Sequence, residues 1–140
     1  MVEATLKRKS WLWNLVPLAG RNRFSSTIGT TIYLTPKRYD DYHSESPSLT
    51  TQALVVHEKV HVRQYQEDKG FQRKYVFSRQ ARLKYEAEAY GEQIQFLIQH
   101  RPEKKAEYIE EKAQRLSSIT YLLFMDYDTV RQAIAARVEA

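Results

Sequence analysis

His57-Glu58-Lys59-Val60-His61 sets two imidazoles four residues apart, with a carboxylate directly after the first. On a helix that spacing turns both rings to one face. Neutral imidazole nitrogen is a good zinc ligand, and two from one rigid face supply half of a tetrahedral site. Glu58 can reach a water on such a metal without joining the same coordination sphere, which is where a general base must stand. The plain alternative is a solvated His/Glu cluster on a polar helix face.

A catalytic zinc takes three protein ligands and leaves a fourth position for water. The chain has no cysteine, so the third ligand must be His, Asp or Glu from a separate element, and disulfides are excluded. Tyr85-Glu86-Ala87-Glu88-Ala89-Tyr90 offers two carboxylates that leave a helix in different directions. Glu86 shares its face with Leu83, Ala89, Tyr90, Ile94 and Leu97, whereas Glu88 shares its face with Lys84, Glu92, Gln95 and Gln99. A carboxylate on the core side needs a cation, and zinc supplies one. Glu86 is therefore the expected ligand and Glu88 the alternative. Arg82, one turn before Glu86, is the non-metal partner that would explain it as an ion pair. Tyr90, one turn after, would orient a ligand or bind a developing oxyanion; its alternative is a packed core tyrosine. His43 is a second oxyanion candidate, more simply read as an exposed loop residue, and His100 suits the C-terminal end of its helix. Gln64 and Gln66 are candidates to hydrogen-bond the ligands from outside.

The elements that must carry these residues follow from pattern. Ser26 to Thr35 is β-branched and aromatic, ends at Pro36, and reads as one strand or a tight pair bent at Gly29. Residues 36–48 hold Pro36, Pro47, Asp40-Asp41 and several serines, and read as a loop. Trp11, Trp13, Leu15 and Val16 are expected on the core. Ser48 or Thr50 caps a motif helix over about 50–69 that stops at Gly70. Leu54, Val55, Val56, Val60 and Val62 give that helix apolar surface on both sides of the histidines. A glutamate helix spans about 78–99 and ends before Pro102. Further helices cover about 103–138: the first has Ala106, Ile109, Ala113 and Leu116 on one face, and the last, capped by Asp128, has Val130, Ile134 and Val138. Between them Tyr121 to Met125 reads as a buried connection or short strand. The expected fold is α+β and mostly helical, one domain of 140 residues with a small N-terminal sheet or hairpin (about 1–47) packed on the motif helix and the glutamate helix.

Net charge is +5, with 22 basic and 17 acidic residues. Lys7-Arg8-Lys9 and Arg21-Asn22-Arg23 are local basic runs, but acids are interspersed elsewhere and no nucleic-acid recognition motif accompanies them. The apolar run from Trp11 to Gly20 is broken by Asn14 and Pro17 and reads as folded structure rather than a signal peptide. No stretch is long enough to span a bilayer. The expected location is cytoplasmic or virion-associated.

His57-Glu58-Lys59-Val60-His61 followed by Glu86-x-x-Ala89 resembles the gluzincin clan of zinc metallopeptidases, whose members carry H-E-x-x-H and then E-x-x-A-D or E-x-x-A-N. Tyr90 stands where the Asp or Asn is usual. A second alignment places Glu88-Ala89 on the thermolysin-like N-E-x-x-S-D pattern, with Glu92 in the aspartate position, and loses the preceding Asn and the Ser. In size the chain is similar to minimal, single-domain members called minigluzincins and to small phage and bacterial metallopeptidase-like proteins. The resemblance covers about residues 28–97. It implies one Zn²⁺ per chain on His57, His61 and Glu86, with Glu58 as general base and a peptide or protein as substrate. It also implies a strand before the motif helix whose free edge pairs with extended substrate, the place taken by Thr27 to Thr35. Small proteins of this kind also keep the site without turnover, so a non-catalytic, zinc-stabilised binding or regulatory protein is the second reading. Nucleic-acid binding through the basic surface is the third.

Overall fold

The computed structural model describes residues 3–15, 24–118, 121 and 123–140; Val16, Pro17, Gly20, Arg21, Asn22 and Arg23, named above, lie outside the described residues, as does position 122 in the stretch from Tyr121 to Met125. The chain is α+β and mostly helical, with one small sheet. It divides into two compact units, Met1–Lys69 and Gly70–Ala140.

In the first unit, β1 (Thr5–Arg8), β2 (Ser26–Ile28) and β3 (Thr31–Leu34) form a sheet in the order β1-β3-β2. β2 and β3 are the tight pair: Ile28 faces Thr31 across a two-residue turn, and Gly29 opens that turn at φ 61°. A positive φ at the first turn position is the II′ pattern that matches strand twist, and glycine takes it without steric cost. β3 is paired on both sides, parallel to β1 and antiparallel to β2. The expectation that Thr27 to Thr35 offers a free edge is thus corrected: only the β2 part lies at an edge.

Ile32 and Leu34 alternate inward from β3 and pack with Val55 and Val62 of α2 (Leu49–Glu67), joined at the margin by Leu6, Tyr39 and Tyr42. The expected loop over 36–48 instead begins with a helix, α1 (Pro36–Tyr42). Thr35 caps it by accepting from the Arg38 N–H, and Pro36 at the first position has no N–H to leave unsatisfied. α1 buries no residue fully, so no apolar stripe announced it. Ser48, not Thr50, caps α2, accepting from the Thr51 N–H at 3.2 Å. α2 ends at Glu67, and Gly70 opens the next helix rather than closing this one. Trp11 and Leu15 are 69% and 75% exposed in a 3₁₀ turn over Trp11–Leu15. Trp13 alone of the three meets the sheet, its ring 4.7 Å from that of Tyr33.

Among the described residues the second unit has four α-helices, α3 (Phe71–Phe77), α4 (Arg79–His100), α5 (Lys105–Leu116) and α6 (Tyr127–Glu139), with a 3₁₀ turn at Pro102–Lys104. α3 was not foreseen. Ser78 ends α3 and caps α4, accepting from the Ala81 N–H. The core joins Ala87, Tyr90 and Ile94 of α4 to Ile109, Ala113 and Leu116 of α5 and to Val130, Ile134 and Val138 of α6. α4 and α6 approach closely at Gly91, where a Cβ would lie 2.6 Å from the Arg137 Cβ. Residues 123–126 form no strand: Leu123 is buried while Phe124 turns outward at φ 51°. The cap of α6 is Asp126, which accepts from the Thr129 N–H at 2.8 Å, and Asp128 lies in the first turn instead. Its carboxylate there still suits the positive end of the helix. Among the described residues, no helix is long and apolar enough to cross a membrane.

Candidate metal centre

α2 carries His57, Glu58 and His61, all three buried. The two imidazoles meet edge to face, centroids 4.9 Å apart at 80°, with their Nε2 atoms 3.2 Å from each other. Tetrahedral zinc with bonds of about 2.0–2.1 Å to nitrogen holds two such ligand atoms about 3.3 Å apart. The helix therefore sets the pair at close to the spacing a shared metal demands.

The Nδ1–H of His61 donates to the Gln64 side-chain oxygen at 2.9 Å. That bond selects the tautomer whose Nε2 keeps its lone pair, the form a metal needs. Gln64 is buried, whereas Gln66 is exposed and points away from this face.

Glu58 is held from the sheet. Thr27 Oγ1 in β2 donates to Glu58 Oε2 at 2.5 Å. Beside Thr27, Ser26 Oγ accepts at 2.9 Å from the Lys9 ammonium, which also donates to the Phe24 carbonyl and lies 4.5 Å from the Trp13 ring centre. Lys9 is 1% exposed. Burial pushes its pKa down to about 8, against the pull of the Glu58 charge in the other direction. Neither Thr27 nor Lys9 was singled out in the sequence, because a threonine in a strand and a lysine in a basic run carry no pattern of their own.

In the second unit Glu86 is 2% exposed and Glu88 only half-buried, as the periodicity of α4 requires. Tyr75 of α3 donates to Glu86 Oε1 at 2.5 Å. No pattern in the sequence marks this phenol, because α3 is short and buries only Phe71 fully. Arg82 donates to the backbone carbonyls of Tyr75 and Val76, at 2.5 and 3.1 Å, and so fastens the end of α3. Tyr90 is buried in the core of this unit, its hydroxyl 2.5 Å from that of Tyr121. Burial, followed by the neighbouring Tyr90, Glu86 and Tyr75, raises the Tyr121 pKa well above its ordinary value, so Tyr121 stays a neutral phenol.

The remaining histidines are surface features. His43 closes α1, exposed, with its ring N–H on the Tyr39 carbonyl at 2.8 Å. His100 sits in the last turn of α4 with its ring N–H on the Phe96 carbonyl at 3.2 Å, where a cation suits the helix end.

Comparison with protein-family models, with curated proteins and with solved structures finds no match.

Proposed function

We propose that the chain is a zinc-dependent peptidase of the gluzincin kind, with His57, His61 and Glu86 as metal ligands and Glu58 as general base. The observation that carries this reading is the buried His57–His61 pair, with nitrogens at 3.2 Å and the His61 tautomer set by Gln64. The donor set fits the metal: two imidazole nitrogens and one carboxylate oxygen, all from buried residues, leave the fourth position of a catalytic zinc for water. Glu86 is preferred over Glu88 because a fully buried carboxylate gains most from a cation.

Bound zinc supplies an acidified water and a polarised scissile carbonyl. The chain's own residues supply the rest. Glu58 takes a proton from the attacking water and delivers it to the leaving amine. Tyr75 holds one oxygen of Glu86 and so limits the directions in which that carboxylate can turn. Tyr90 is the proposed oxyanion donor. Its hydroxyl shares a hydrogen bond with that of Tyr121, in which either can donate.

Elemental analysis of purified wild type beside Glu86→Gln and Glu88→Gln tests the centre. About one zinc per chain, lost in Glu86→Gln and kept in Glu88→Gln, is expected; loss only in Glu88→Gln moves the ligand, and a zinc-free wild type in zinc-supplemented buffer refutes the site. Glu58→Gln should keep zinc and lose turnover of an unfolded substrate such as labelled β-casein. A wild type that holds zinc, melts much higher with it and cleaves nothing would instead establish the zinc-stabilised binding protein.

A further inference from the structure

A glutamate reaches its carboxylate through three rotatable bonds, so a general base at Glu58 works well only if something limits those rotations. Helix α2 does not do this by itself. Among the described residues, the one hydrogen bond to the Glu58 carboxylate comes from Thr27, 31 residues earlier in the chain. That bond engages Oε2 and leaves Oε1 for a water.

Thr27 is itself well fixed. It faces Ile32 across the hairpin, and Ile32 is wholly buried against α2. Its β-branched side chain has few χ1 choices. The preceding residue, Ser26, is tied to the Lys9 ammonium, which also grips Phe24, so the strand is fastened just ahead of the contact. A short strand at the edge of a sheet would otherwise be among the looser parts of a fold. Here a buried cation and a two-residue turn constrain it from both ends.

We infer that Thr27 is a positioning residue for Glu58: its hydroxyl orients the carboxylate so that Oε1 receives the proton of the attacking water. The inference rests on Glu58 being the general base, and it assigns Thr27 no contact with substrate.

The test compares wild type, Thr27→Val and Thr27→Ser, with Glu58→Gln as reference, on labelled β-casein with zinc content measured in each. Valine keeps the shape and removes the donor; serine keeps the donor. The expected result is a fall in kcat of about tenfold or more in Thr27→Val, an unchanged KM, full zinc, and recovery of most of the loss in Thr27→Ser. Zinc-free melting temperatures of Thr27→Val, Glu58→Met and the double variant give a readout independent of turnover. The two changes should be strongly non-additive, because each removes the same bond. Wild-type kcat in Thr27→Val, or additive melting shifts, overturns the positioning role. If the zinc-loaded wild type cleaves nothing while the melting shifts remain coupled, the peptidase reading has failed. The Thr27–Glu58 bond is then a structural one, which also overturns the role inferred here.

Discussion

Lys9→Met should remove a pH dependence of stability that the wild type carries between about pH 8 and pH 10.5. The Lys9 pKa falls from 10.5 in the unfolded chain to about 8 in the folded one, chiefly because burial disfavours the ammonium. Between those two values the unfolded state binds the proton and the folded state does not. Stability therefore rises with pH across the window, and below pH 8 the full cost of the buried charge is present. The whole shift corresponds to about 3 kcal/mol at 1.36 kcal/mol per unit, nearly all of it gained between pH 8 and pH 10.5. Methionine matches the length of the lysine stem and has no proton to lose. The chain's two tryptophans, Trp11 and Trp13, both lie in the first unit, so their fluorescence reports on that unit alone. Urea unfolding of both proteins at several pH values from 7 to 10.5, followed by tryptophan emission, gives the difference in stability directly. Other titrating groups are common to the two and cancel. The wild type should gain on the variant by about 3 kcal/mol as the pH rises from 7 to 10.5. A difference that stays flat, or one that shrinks with pH, would refute the buried-charge account of Lys9.

Two further perturbations probe one unit each. Gln64→Leu removes the partner of the His61 Nδ1–H and should weaken zinc binding by about 10- to 100-fold in a chelator competition; unchanged affinity would mean that Gln64 does not set the tautomer. Gly91→Ala places a methyl 2.6 Å from the Arg137 Cβ and should cost about 1–3 kcal/mol by forcing α4 and α6 apart, seen as a lower melting temperature by circular dichroism. A neutral result would show that the two helices separate freely.

Helix periodicity made much of the site legible. The four-residue spacing of His57 and His61 is local geometry, so the sequence alone places both rings on one face of α2. The same 3.6-residue repeat predicted which carboxylate of α4 is buried and the inward faces of α5 and α6, save for Ala106, which is exposed at the start of α5. Signals failed where an element has no buried stripe or where one residue type serves two ends. α1 offers a proline and charged residues with only Tyr39 and Tyr42 to pack, Gly70 reads equally as a stop or a start, and Asp126 and Asp128 both look like caps. Trp11 and Leu15 are apolar yet exposed, because hydrophobicity states a preference and cannot supply a surface to pack on.

Sequence alone set His57 and His61 four residues apart on one helix, placed Glu58 beside the first, and marked a bend at Gly29 in a stretch that reads as one strand or a tight pair. These depend on residues a few positions apart, whose relation a helix or a turn dictates. Only tertiary structure decided what surrounds them. Thr27 reaches Glu58 across 31 residues, Tyr75 reaches Glu86 from a helix with no sequence signature, and Lys9 is buried against Phe24 and Ser26. Contacts of that kind follow from the register of a sheet and the packing of helices, where a shift of one residue would exchange every partner. For that reason the sequence displays the candidate ligands, while the residues that orient them become visible only in the folded chain.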